Sequence, residues 1–201
     1  MALDKEKPKR AKKTRTVDKW KKKQWFQIIA PKDFDEKALG ETIAEKEKNL
    51  IGRTIEVNLG DLTGQRQKRH IKITFKVNQI EGTRAKTAIV GHKISHGFLN
   101  RLVRRRASKI ELTQFLALEG GKRLKVKTMV LSLKKLGRKQ ERALANELKD
   151  RIEKAYRKKA PEQAQQEFIF GAAASKLFKQ LKKIAPLKRV EVIESKLIEG
   201  K

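Results

Sequence analysis

Stretches of this chain alternate apolar with charged or polar residues at a period of two, and that alternation restricts what they can become. In "RTIEVNL" Ile55, Val57 and Leu59 alternate with Thr54, Glu56 and Asn58. In "HIKITFKV" Ile71, Ile73, Phe75 and Val77 alternate with Lys72, Thr74 and Lys76. Successive side chains of a strand point to opposite faces, so each stretch reads as a strand with one face in a core and the other in water. A tight turn at Glu81-Gly82 leads into "RAKTAIV", predicting an antiparallel meander whose wet face carries Lys72, Lys76 and Lys86. Between the first two strands "GDLTGQRQKR" reads as a long basic hairpin loop.

Further along, Ile110, Leu112, Leu116 and Leu118 keep even positions, and a turn at 119–121 leads into "KRLKVKTMVLSL". There Leu124, Val126 and Val130 face one way and Lys125 and Lys127 the other. From Gly137 the period becomes helical. Ala145, Leu148, Ile152 and Tyr156 form one apolar stripe, Pro161 opens a second helix, and Ala174, Leu177, Leu181 and Ile184 form the stripe of a third. Pro186 stops that helix, and "LKRVEVIESKL" reads as a last strand with Val190 and Val192 inward. The fold class predicted is α+β: a curved, mostly antiparallel sheet or partial β-barrel with C-terminal helices. Residues 24–201 read as a single domain, and residues 1–23 as a basic extended arm without apolar periodicity.

Two local readings bear on what the chain binds. Asp33 with Glu36 three residues later resembles a capping box for a short helix inside "APKDFDEKALGE". "SHGFLNRLVRRR" reads as a helix with Ser95 at its N-cap and Ile94 and Leu99 as a hydrophobic staple. Phe98, Leu99, Leu102 and Val103 share its inner face and Arg101, Arg104 and Arg105 its outer face; either the helix ends at Arg106 or the Arg106 stem snorkels. Trp25, Phe26, Ile28 and Ile29 read as the first core strand. Trp20 either anchors the arm to that strand or stacks on an unpaired base.

Charge narrows the partner. Lys+Arg number 52 against 23 Asp+Glu, a formal net charge of +29. The first 23 residues hold eleven of these cations and three acids, which leaves +21 on residues 24–201. A folded body so basic repels itself unless a polyanion lies against it, and nucleic acid is the first candidate. With no cysteine there can be no disulfide and no thiolate metal site. No apolar run approaches the roughly 18 residues of a membrane span, and no secretory signal is visible, so a soluble cytoplasmic protein is expected.

The catalytic inventory is thin. His92 and His96 are four apart, but His92 precedes the expected N-cap and no carboxylate completes a metal set. "GHKISHG" lacks the Lys-Ser/Thr pair that follows the second glycine of a phosphate loop. Asp33 and Asp35 are better explained by capping than by a paired-metal site. The residues imply no enzyme, no cofactor and no small-molecule substrate.

"IGRTIEVNLGDLTG", "HIKITFKV", "GHKISHGFLNRLVRRRASKI" and "KQLKKIAPLKRVEVIESK" resemble, in order and spacing, the archaeal and eukaryotic small-subunit ribosomal protein family called S-three-Ae, also named e-S-one. The length resembles the archaeal branch. One departure is Glu119-Gly120-Gly121, where the family commonly carries Asp-Gly-Tyr. The resemblance implies a structural constituent of the small subunit, on its platform near the messenger exit region, contacting small-subunit rRNA and neighbouring platform proteins. On this reading the phosphates are gripped by Arg101, Arg104 and Arg105, by Arg66, Lys68 and Arg69 of the hairpin loop, and by Lys12, Lys13, Lys21, Lys22 and Lys23 of the arm, with Trp20 beside them. The alternative is a free nucleic-acid-binding protein, an RNA chaperone or DNA-packaging factor.

Overall fold

The alternating stretches form strands, and one of them organises the rest. The computed structural model describes Trp20, residues 22–157 and residues 159–198; Lys12, Lys13 and Lys21 of the expected arm lie outside the described residues. The strands are β1 (Gln24–Ile29), β2 (Ala38–Ala44), β3 (Thr54–Asn58), β4 (Ile71–Glu81), β5 (Arg84–Ile94), β6 (Lys109–Ala117), β7 (Arg123–Ser132) and β8 (Leu187–Ile198). One edge of β5 pairs with β4 from Ile94 to Arg84, and β4 pairs onward with β3. The other edge is divided between two partners. Arg84–Lys86 run parallel to Gln27–Ile29 of β1, while Gly91–Lys93 run antiparallel to Glu194–Lys196 of β8. β1 continues to β2, and β8 continues to β7 and β6. The result is an open eight-stranded sheet, antiparallel except at the β1–β5 pairing among the described residues.

The short β5–β8 pairing joins the two halves of the sheet, and its residues are specialised for it. A Cβ on Gly91 would collide with the Ser195 carbonyl oxygen, so only glycine lets the strands approach there. His92, buried beside it, hydrogen-bonds Ser195 Oγ through Nδ1 at 2.6 Å and the Val192 carbonyl through Nε2 at 3.1 Å. A carbonyl only accepts, so Nε2 carries the hydrogen and Nδ1 accepts from the serine hydroxyl. In the gap between β1 and β8 side chains tie β5 to its neighbours. Thr87 Oγ1 donates to the Ile29 carbonyl at 2.8 Å, and Gln165 Nε2 donates to the Val90 carbonyl at 3.2 Å.

Five α-helices lie among the described residues: α1 (Leu59–Thr63), α2 (His96–Leu102), α3 (Arg138–Tyr156), α4 (Pro161–Phe170) and α5 (Ala172–Leu181). The main core sets Leu144, Leu148, Ile152, Leu177 and Leu181 against Leu116, Leu124, Val126 and Val130 of the sheet. A second cluster joins Phe34, Leu59, Leu62, Ile73 and Phe75, with Ile169 of α4. A third joins Ile94, Leu99, Met129, Leu131 and Ile193, with Leu102 and Val103 packed against it. The buried stripe of α3 starts from Leu144, not from the expected Ala145, because 144, 148, 152 and 156 keep an i+4 row. Ile184 lies past the end of α5 and is 41% exposed, so it does not extend that helix's stripe.

Other expectations fail for identifiable reasons. Asp33 caps no helix: Lys32–Phe34 is a single 3-10 turn whose N-cap is Pro31. Asp35 and Glu36 follow in the left-handed region, at φ 56° and 49°, and reverse the chain into β2. β2 has no clean alternation and is held by β1, so pairing overrides its weak pattern. On β1 the core takes Phe26 and Ile28, and strand alternation leaves Trp25 62% exposed. The expected hairpin loop holds α1 and a 3-10 turn, Arg66–Lys68, with Leu59 and Leu62 buried beneath them.

Two substitutions test the join. Gly91→Ala should lower stability by about 3 kcal/mol or more in chemical denaturation, since neither backbone can yield without breaking the pairing. Burial holds the His92 imidazole down, to about 4, against the smaller raising effects of the Val192 carbonyl and Glu194. Its folded pKa therefore lies below the ordinary 6.5, and as pH falls from about 6.5 to about 4 the unfolded chain takes up a proton that the native chain refuses. Native stability should fall across that window. His92→Gln should be about 1–3 kcal/mol less stable at pH 7, and its deficit should shrink as pH approaches 4.

Candidate nucleic-acid interface

Of the cations singled out in the sequence, Arg101, Arg104 and Arg105 lie on α2 and the turn after it, and the segment holding Arg66, Lys68 and Arg69 packs against α2. Ser95 occupies the N-cap, and its carbonyl accepts from the Phe98 and Leu99 amides. Ile94 and Leu99 are buried in one cluster, as a staple requires. α2 stops at Leu102, not at Arg106. Val103 turns to extended backbone, at φ −76° and ψ 123°, so that Leu102 and Val103 both reach the core beneath. Only Arg101 therefore projects from the helix. Arg104, Arg105 and Arg106 occupy an exposed turn between α2 and β6.

That turn is short and anchored at both ends. Leu102 and Val103 hold its start, and buried Ser108 holds its finish. The Ser108 amide donates to Ser132 Oγ at 2.8 Å, and Ser108 Oγ accepts from the Leu136 amide at 3.0 Å. Arg106 sits in the left-handed region at φ 64°. A side chain there costs roughly 1–2 kcal/mol, and glycine would not pay it. Conformation therefore does not explain an arginine at 106.

The 3-10 turn at Arg66–Lys68 meets α2 from the other side. His70 stacks on Phe98 with ring centroids 3.8 Å apart, and the Ser95 amide donates to the His70 carbonyl at 2.8 Å. Burial lowers the His70 pKa, and the nearby Arg189 and Arg101 act in the same sense against Gln67 and Glu191. From β8, the Arg189 guanidinium lies 5.5 Å from the Phe98 ring, and Lys188 Nζ donates to the Leu102 carbonyl at 3.3 Å. Lys68 Nζ lies 5.6 Å from the Phe170 ring centre. Together these elements border a cleft of about 830 Å³ walled partly by Phe98, Phe168, Phe170 and Phe178, with Lys68, Lys179, Lys188 and Arg189 among its lining cations.

Not every cation is equally available. Arg69 pairs with Asp61 at 3.3 Å, both side chains well exposed. Such a pair is worth at most about 1 kcal/mol, so a phosphate can compete for the guanidinium. Arg66 is exposed. Near the arm, Lys22 and Lys23 are exposed, and Lys23 Nζ lies 4.2 Å from the Trp20 ring centre. The sequence reading missed Lys188 and Arg189. Their signal was present as exposed positions in the alternating final strand, but nothing local told that they would lie against α2.

His92 and His96, four apart in sequence, fall on different elements. His92 lies in β5 with both ring nitrogens engaged, and His96 opens α2 on the surface. Among the described residues there is no group of three or more His, Cys, Asp or Glu side chains arranged for a metal ion.

A sequence profile of the Ribosomal S3Ae family matches residues 11–201. The chain belongs to this family. Among similar proteins, the small ribosomal subunit protein eS1 of Saccharolobus islandicus is 36% identical over 182 residues, covering 90% of this chain and 88% of that protein. The protein of the same name from Methanothermobacter thermautotrophicus is 28% identical over 190 residues, covering 94% of this chain and 97% of that protein. The one from Saccharolobus solfataricus is 35% identical over 182 residues. The family profile spans both halves of the sheet and the arginine turn between them.

The turn yields a test of its own. Arg106→Gly should leave thermal stability unchanged or raise it by up to about 1 kcal/mol, the relief at φ 64° being offset by glycine's extra freedom when unfolded. A loss of 1 kcal/mol or more would mean that Arg106 holds the turn.

Proposed function

We propose that this chain is a structural constituent of the small ribosomal subunit that binds rRNA through basic surfaces, without catalysing a reaction. What carries the reading is membership of the Ribosomal S3Ae family together with relatives named small ribosomal subunit protein eS1. Its place would be the platform near the messenger exit region, beside neighbouring platform proteins, in the cytoplasm. The contacts would be made by Arg101 of α2, by Arg104 and Arg105 of the anchored turn, and by Arg66, Lys68 and Arg69. Residues 1–23 would act as an arm laid on the rRNA, through Lys12, Lys13, Lys21, Lys22 and Lys23, with Trp20 at its base.

The mechanism is electrostatic. Each guanidinium or ammonium that neutralises a phosphate releases counterions, so affinity falls steeply with salt. Arginine adds a planar fork that bridges two phosphate oxygens. Arg104 and Arg105, on a short turn fixed at Val103 and Ser108, bind with little ordering cost, since the backbone that presents them is already held. Base-specific contacts contribute little where the rRNA is double-stranded, because its readable groove is closed to side chains.

The protein should co-sediment with small subunits in sucrose gradients after a low-salt wash; absence from that fraction would overturn the reading. Replacing Arg101, Arg104 and Arg105 together with alanine should weaken binding to small-subunit rRNA and flatten the dependence of log K on log salt by roughly one unit per lost phosphate contact. Comparable affinity for unrelated duplexes would point instead to a free nucleic-acid-binding protein.

A further inference from the structure

The sheet carries a second basic surface that the arginine turn does not use. On β6 the even positions Ile110, Leu112 and Leu116 belong to the core beneath α3, so the odd positions face the other way. At the end nearest the arginine turn, that opposite face is closed by the cluster of Met129 and Leu131 with Leu99 of α2. Farther along the strands it is bare among the described residues, and Phe115 stands on it at 65% exposure.

Register places cations along one side of this ring, β6 being the edge strand of the sheet. Lys125 of β7 is directly opposite Phe115, with Lys127 and Arg123 on the two diagonals. Opposite side chains start about 5 Å apart and diagonal ones about 7–8 Å, within reach of a lysine or arginine stem. Lys196 of β8 lies opposite Lys125 and extends the row, which ends at Gly91, where β5 presents no side chain. Two carboxylates share the surface. Glu111 is held by Lys109 at 2.6 Å and Lys127 at 2.9 Å, and Glu194 lies across from Lys127.

The geometry points to this half-face as a binding platform for single-stranded RNA, on which Phe115 stacks an unpaired base while Lys125, Lys196 and Arg123 hold the flanking phosphates. This rests on the reading of the chain as an rRNA-binding protein and adds to it a site and a form of RNA. An exposed phenylalanine is ordinary on a surface; one on an open sheet beside a strand bearing three cations is suited to a polymer that offers both a π-face and negative charge. Duplex RNA keeps its bases stacked and would leave the ring in water. A protein partner would need an apolar patch; Ile198, 36% exposed and opposite Arg123, is two strands away from Phe115, and the cations between them suit the centre of a protein interface poorly, since such centres are depleted of lysine.

The test uses the full chain with two probes, small-subunit rRNA and a short fluorescent oligouridylate, each titrated at several salt concentrations. Phe115→Ala should weaken oligouridylate binding about 5- to 150-fold, the worth of one stacked base, with an unchanged salt slope. Lys125→Ala should reduce that slope by roughly 0.7, one phosphate contact on a single strand. Phe115 is exposed, so the variant should keep the parent's melting temperature. If the unaltered chain binds rRNA but not the oligouridylate, or if Phe115→Ala binds it as tightly as the parent, the platform is overturned and the ribosomal reading stands. If the unaltered chain binds neither RNA, both fall. If Phe115→Ala keeps all RNA binding but loses a ribosomal protein from the assembled subunit, the face belongs to a protein partner and the platform is overturned.

Discussion

Three residue pairs join the two halves of this sheet. β5 must serve β1 along one third of an edge and β8 along another, and the second pairing is only Gly91–Lys93 against Glu194–Lys196. Its backbone hydrogen bonds would be a slender link by themselves. The missing side chain at Gly91 lets the strands close, and the His92 ring then ties β5 to Val192 and Ser195 across about a hundred residues of chain. Gln165 seals the adjoining gap from α4. The aromatic cleft follows from this link, since His70, Phe98 and Arg189 come from opposite sides of it. So does the position of α2, which begins two residues after β5 ends.

A body with a net charge of +21 folds because its cations are kept at the periphery while its apolar residues gather in connected clusters. The acids are placed economically. Glu167 accepts from both Tyr156 and Lys159 where α3 turns into α4, Glu111 sits between two lysines on the sheet, and Asp61 pairs with Arg69. Each acid spends its charge on a local join. The arginine turn has no acid within its own five residues, 103–107, and its firmness comes from backbone anchors instead. Rigidity and unspent charge thus coincide at the same place.

How much could be read from the sequence depended on whether the signal was local. β3, β4, β6, β7 and β8 were legible because each shows its own period-two pattern, and α4 because Pro161 marks its first turn. β2 was not, since Ala38, Leu39 and Gly40 carry no alternation and the strand exists through its pairing with β1. The helical reading of "RLVRRR" failed for a related reason. A bearing of 100° per residue places Arg104 and Arg105 outward, but the demand that Leu102 and Val103 both reach one cluster ends the helix early. The cations of the candidate interface were legible one by one. Their convergence was not, because Arg189 reaches Phe98 and His70 only once β8 has joined β5.

That late joining has a consequence for how the chain comes to its native state. β8 is made after every other strand described here, so until residues 187–198 appear the edge of β5 at Gly91–Lys93 has no partner. The β1–β5 portion and the β6–β7 hairpin can each form during synthesis, but they remain separate cooperative units with open edges. Open edges invite pairing between chains. A surplus of lysine and arginine spread over both portions makes such encounters mutually repulsive. The basic character that suits this protein to RNA also guards it while its sheet is still in two pieces.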